Sequence, residues 1–160
     1  MVNVAVVGMG YVGIPVGLTL ANSGLEVIGL DIDQNKVNSL NNSSYPLKGE
    51  EPGIQKLLEN VIAKNLFHAS LDFSDAKNAD AWLVCVQTPF LVNEFKPNFN
   101  ALKSAVSEIG KNISPNSVIV IESTIPPGTI ESVVIPLLES QSGLVAGEDF
   151  GVGHCPERVM

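Results

Sequence analysis

Val2-Asn3-Val4-Ala5-Val6-Val7-Gly8-Met9-Gly10-Tyr11-Val12-Gly13 is the stretch on which the fold of this chain turns. Its first half is a nearly unbroken apolar run, which reads as a strand buried on both faces. Glycines then follow at positions 8, 10 and 13. Gly8 permits a tight turn, Gly10 lets the backbone approach a ligand with no side chain between, and Gly13 lets a helix pack closely on the strand. The spacing predicts that helix from Tyr11 to Ser23, stopped by Gly24. A second strand, Glu26-Val27-Ile28-Gly29-Leu30-Asp31, ends in a carboxylate. Strand, glycine turn, helix and acid-tipped strand together describe a βαβ unit that binds a dinucleotide. The amides of the first helical turn, Tyr11 and Val12 among them, and the positive end of the helix dipole serve the phosphates. Asp31 accepts hydrogen bonds from the adenosine ribose hydroxyls.

The same carboxylate selects the cofactor. NADP would set its 2′-phosphate beside Asp31. Two like charges about 4 Å apart repel by on the order of 4 kcal/mol at an effective dielectric of 20. Sites for NADP place an Arg nearby, whereas here Ile32, Asp33, Gln34 and Asn35 follow and Lys36 is the first cation. The expected cofactor is NAD.

With 160 residues the chain fits one domain, residues 1–160, able to bury about two-thirds of its unfolded surface. Hydrophobic residues make up 45% and charged residues 16%, the balance of parallel strands covered on both faces. A formal net charge of −8 with no basic patch argues against nucleic acid or a membrane surface as partner. No apolar run approaches the roughly 20 residues that span a bilayer. Met1-Val2-Asn3 lacks a basic leader, so no signal peptide is expected. Only two cysteines, Cys85 and Cys155, fit a reducing cytoplasm rather than a disulfide framework.

Strand and helix signals alternate along the chain. Asp33 caps a helix over Gln34–Leu40. A polar loop, Asn41-Asn42-Ser43-Ser44-Tyr45-Pro46, and Glu51-Pro52-Gly53 lead into an amphipathic helix, Ile54–Lys64. Further strands are expected at Leu66–Ala69, Ala81–Val86, Ser117–Glu122 and Phe150–His154, with helices at Asn100–Asn112 and Thr129–Ser140. The predicted fold is α/β, a Rossmann-like doubly wound sheet of six parallel strands in the order 3-2-1-4-5-6. Ligands of such sheets bind outside the carboxyl ends of the strands. There the glycine turn meets Gln87-Thr88-Pro89, Ser123-Thr124-Ile125-Pro126-Pro127-Gly128 and His154-Cys155-Pro156-Glu157-Arg158.

Taken in order, these strings resemble the N-terminal domain of the UDP-glucose/GDP-mannose dehydrogenase family along essentially the whole chain. Gly8-Met9-Gly10-Tyr11-Val12-Gly13, Asp31-Ile32-Asp33-Gln34-Asn35-Lys36-Val37, Glu51-Pro52-Gly53-Ile54, Gln87-Thr88-Pro89, Ser123-Thr124-Ile125-Pro126-Pro127-Gly128 and Pro156-Glu157-Arg158-Val159 carry the likeness. The resemblance implies a double oxidation of the C6 alcohol of a UDP-sugar to the uronic acid, with two NAD reduced. It implies that Asp31 holds the adenosine ribose with Lys36 as a second contact. Thr88, Pro89 and Thr124 would then lie near the nicotinamide. It casts Thr124 as orienting the catalytic water and Glu157 as a base or electrostatic partner at the reacting carbon. The nucleophilic Cys, an assisting Lys and Asn, and the helix through which the family forms homodimers belong to later domains. The 160 residues are therefore expected to be the NAD-binding part of a longer enzyme, inactive alone. Family members acting on UDP-glucose or GDP-mannose typically read Pro-Glu-Phe-Leu-Arg at the last string. Pro156-Glu157-Arg158-Val159 instead resembles the UDP-N-acetylhexosamine branch, whose substrates include UDP-N-acetylmannosamine.

Cys155 lies beside the expected site, but His154 precedes it and consecutive strand side chains face opposite ways, so it is not the expected nucleophile. His68 and His154 are scattered, without the clustered partners of a metal site, and are expected to be structural. Two other readings share the glycine turn and Asp31. One is a β-hydroxyacid-type dehydrogenase that oxidises once, and the other a free-standing module that senses NAD.

Overall fold

β-branched runs that alternate with amphipathic segments have one economical arrangement, a parallel sheet with helices on both faces. The computed structural model describes residues 3–49 and 51–156. In chain order its elements are β1 (Asn3–Val7), α1 (Gly13–Asn22), β2 (Glu26–Leu30), α2 (Gln34–Asn41), α3 (Ile54–Ala63), β3 (Phe67–Ser70), β4 (Ala81–Val84), β5 (Phe90–Leu91), β6 (Lys96–Pro97), α4 (Asn100–Asn112), β7 (Val118–Ile121), α5 (Ile135–Ser142) and β8 (Gly151–His154). Among the described residues the main sheet runs β3-β2-β1-β4-β7-β8, with every pair parallel. Setting aside the β5–β6 hairpin, that is the expected order 3-2-1-4-5-6.

The sheet divides the interior. Ala5, Val7, Trp82, Val84 and Ile119 point to the face covered by α4 and α5. Val4, Val6, Val27 and Phe67 point to the face covered by α1, α2 and α3. Alternation along β1 feeds both cores, as the two-residue period of a strand requires. Gly110 lets α4 pack closely on α5, because a Cβ there would lie 2.7 Å from the Gln141 Cβ.

Several expected boundaries are corrected. The first helix begins at Gly13 rather than Tyr11, since Tyr11 and Val12 belong to the turn. The fourth strand stops at Val84 rather than Val86 because Ser123 takes over there. Its amide donates to Val84 O and its hydroxyl to Val86 O, replacing the ladder. The helix expected from Thr129 opens as a π turn, Ile130–Val134, before α5. Pro136 supplies the cause: it has no N–H with which to continue a regular i→i−4 ladder. Between β4 and α4, where no element is expected, lies the β5–β6 hairpin, two residues per strand, with Phe95 in the left-handed region at φ 50°.

Candidate functional site

The glycine turn is tight on its protein side and open on its outer side. Gly8 has φ +97°, and a Cβ there would press within 2.9 Å of Cys85 O. At Gly13 a Cβ would fall 2.0 Å from Gly8 O, so the helix can sit this close only with glycine. Around Gly10, in contrast, no atom beyond its own chain neighbours lies within 4 Å of an added Cβ. That gap is the cradle a pyrophosphate needs. The first helical bond runs from Ile14 N–H to Gly10 O at 3.1 Å, leaving the Tyr11, Val12 and Gly13 amides ahead of the ladder. No acidic residue stands in the first turn of α1 to oppose an anion.

Met9 anchors this turn, a role the sequence did not reveal. Its side chain is fully buried against Gly29, while its amide donates to Asp31 Oδ2 at 2.8 Å. The same oxygen receives Lys36 Nζ at 3.1 Å, and Asp31 Oδ1 accepts the Asp33 amide at 2.9 Å. Asp33 also caps α2 as expected, accepting from Asn35 N–H at 2.9 Å. Asp31 thus ties the strand end, the glycine turn and α2 together, with its side chain 7% exposed. A carboxylate has room for about four donors, so capacity remains for a ribose hydroxyl.

The exposed Tyr11 ring reaches over the turn, and its hydroxyl donates to Lys48 O at 3.1 Å. Residues 42–49 and 51–53 form the polar loop, which Gln55 pins by donating to Ser43 O and accepting from Tyr45 N–H. The Tyr45 hydroxyl bonds the Glu51 carboxylate at 3.2 Å. Burial, then that hydrogen bond and the Glu51 charge, pushes the Tyr45 phenol up to about 12.

At the other end of the sheet edge the expected strings meet. The Thr88 hydroxyl donates to Thr124 O at 2.7 Å, fastening the β4 loop to the β7 loop. Buried Ser123 donates to Val86 O at 2.6 Å, and His154 Nε2 lies 3.2 Å from Ser123 O. His154 therefore braces the β7–β8 edge. Cys155 is exposed, with its amide on Ile121 O. Glu157 lies outside the described residues.

A cavity of about 650 Å³ joins these parts. Gly8, Gly10, Tyr11, Val12, Asp31, Lys36, Thr88 and Thr124 all line it. Gly13 and Pro89 do not. Gly13 acts through packing, and Pro89 turns its carbonyl to the Asn98 amide to close the hairpin. Among the described residues no three His, Cys, Asp or Glu side chains gather as a metal site would need.

A family model for the NAD binding domain of the UDP-glucose/GDP-mannose dehydrogenase family matches residues 2–160. The chain belongs to that family. Its cofactor is NAD. Protein CapL of Staphylococcus aureus is 39% identical over 98% of the chain and 35% of its own length. The UDP-N-acetyl-D-mannosamine dehydrogenase of Pyrococcus horikoshii is 35% identical over 99% of the chain and 37% of its own. Among solved structures, the NDP-N-acetyl-D-galactosaminuronic acid dehydrogenase of Methanosarcina mazei Go1 superposes with a TM-score of 0.94 at 40% identity. It is covered over 100% of this chain and 35% of its own. The chain thus spans about a third of the length of these family members.

Proposed function

We propose that this domain serves a nucleotide-sugar 6-dehydrogenase, which oxidises the C6 alcohol of a UDP-sugar to the uronic acid in two NAD-dependent steps. The observation that carries the reading is the single cavity running from Asp31, past the open Gly10 cradle, to the Thr88–Thr124 tie. NAD, when bound, accepts the hydride of each oxidation at its nicotinamide ring. Asp31 and Lys36 then hold the adenosine ribose, and the amides of the α1 turn hold the pyrophosphate. Thr88 fixes the Thr124 backbone and leaves the Thr124 hydroxyl to orient water over the nicotinamide end. Glu157 serves beside it as base or electrostatic partner, and the nucleophilic Cys comes from sequence beyond Met160. N-acetylhexosamine substrates are favoured by Pro156-Glu157-Arg158-Val159 and by the names of the Pyrococcus and Methanosarcina relatives. The enzyme works as a homodimer in the cytoplasm and feeds polysaccharide assembly. No helix among the described residues is long and apolar enough to cross a membrane.

The test uses the chain extended to its natural C-terminus, with NAD and UDP-N-acetylmannosamine, and counts NADH per sugar consumed. Two NADH per sugar is the expected result. Turnover with UDP-glucose alone would move the substrate to another branch of the family. One NADH per sugar, or none with any nucleotide sugar, would sink the double oxidation.

A further inference from the structure

One wall of the cavity belongs to no motif. Ala101, Ser104, Ala105 and Glu108 share one face of α4 by helical spacing and line the same space as Asp31. Ile32, 93% exposed at the position just after Asp31, lines the same cavity. An apolar side chain this bare beside a ligand site is a surface awaiting a partner. Ile32, Phe73, Ala101 and Ala105 give the cavity an apolar lining. Glu108 lines the same cavity with its side chain 42% exposed. Its Oε1 receives Lys111 Nζ at 2.6 Å, which steadies the carboxylate and leaves Oε2 able to accept.

We propose that Glu108 reads the base of the dinucleotide, its carboxylate accepting a hydrogen bond from the 6-amino group of adenine. The inference rests on NAD lying along the cavity with its adenosine ribose on Asp31. From that ribose the base extends away from the phosphates, onto the apolar lining that Ile32 and α4 supply. An apolar slot with one polar group at its edge is the usual way a flat heterocycle is both held and identified. A carboxylate can only accept, so it favours an amino group and opposes a base carrying oxygen at the same position. Were Glu108 merely the i,i+3 partner of Lys111 on the helix surface, the identity of the base would not matter.

The test is calorimetric titration of the full chain with NAD and with nicotinamide hypoxanthine dinucleotide, which differs only in having a 6-oxo base. The wild type is expected to prefer NAD about tenfold, the worth of one charge-assisted hydrogen bond to a half-exposed carboxylate. Glu108→Ala brings the ratio of the two affinities to about one. Glu108→Gln, able to donate as well as accept, also flattens it. Lys111→Ala breaks the same ion pair and keeps the preference. Equal wild-type affinities, or a preference that survives Glu108→Ala, overturns the proposal while leaving the cavity as the NAD site. Unchanged NAD affinity in Asp31→Ala overturns the placement of the dinucleotide, and the role of Glu108 with it.

Discussion

Single residues in the glycine turn separate folding from binding. Gly13→Ala puts a methyl group 2.0 Å from a backbone oxygen that cannot yield. We expect a loss of about 3 kcal/mol or more, at or beyond the usual range for overpacking, or failure to fold. Gly10→Ala meets nothing, so its melting temperature should match the wild type while NAD affinity falls at least about tenfold, one hydrogen bond's worth or more. Melting curves and calorimetry on the two variants check both halves of the contrast. These jobs were legible because they follow from the absence of a side chain at fixed spacing. The bond from the Met9 amide to Asp31 was not, because it joins residues 22 positions apart through a backbone group that every residue possesses. It makes Asp31 a structural knot besides the ribose contact we propose for it. Asp31→Asn should therefore weaken both NAD binding and the fold, the latter by about 1–2 kcal/mol, because one carboxylate oxygen becomes an NH2 that cannot accept and the ion pair with Lys36 loses its negative partner. Urea unfolding alongside the titration separates the two effects.

At the level of elements, strong periodicity was readable and local exceptions were not. The bounds of α4 and the Asp33 cap agree with expectation because amphipathic spacing and a cap residue are local signals. Asp33→Ala should cost about 1 kcal/mol in urea unfolding, the usual worth of an N-cap. The β5–β6 hairpin was hidden because a two-residue strand carries no period, and the π turn because one proline shifts a helix without changing its composition. The loop after α2 carries a pH signature of its own. The Tyr45 phenol is raised from 10.0 to about 12, so the folded state favours its neutral form. Its contribution to stability is complete below pH 10 and is lost as pH rises through about 12. Tyr45→Phe should flatten the decline between those values, read as urea midpoints at pH 9 and pH 11.5.

For the molecule as a whole, bound cofactor and fold are linked. NAD at about 100 times its dissociation constant should stabilise the full chain by about 2.7 kcal/mol, seen as a raised melting temperature that Gly10→Ala forfeits. The order of the sheet strands was legible from the alternation of strand and helix together with the handedness of parallel crossovers. The partition of the interior was implicit in the same alternation, since β1 supplies Ala5 and Val7 to one side and Val4 and Val6 to the other. Leu18 and Leu102 are both fully buried, one on each side. Leu18→Ala and Leu102→Ala should each cost about 2–5 kcal/mol, and the double variant should show their sum. Two interiors that a sheet keeps apart still meet at its carboxyl edge. The α4–α5 side reaches the cavity through Val7, Leu30 and Ala105, which belong to that core and line the cavity at once. A change of packing deep on that side is therefore felt at the cavity wall, with no residue of the glycine turn altered.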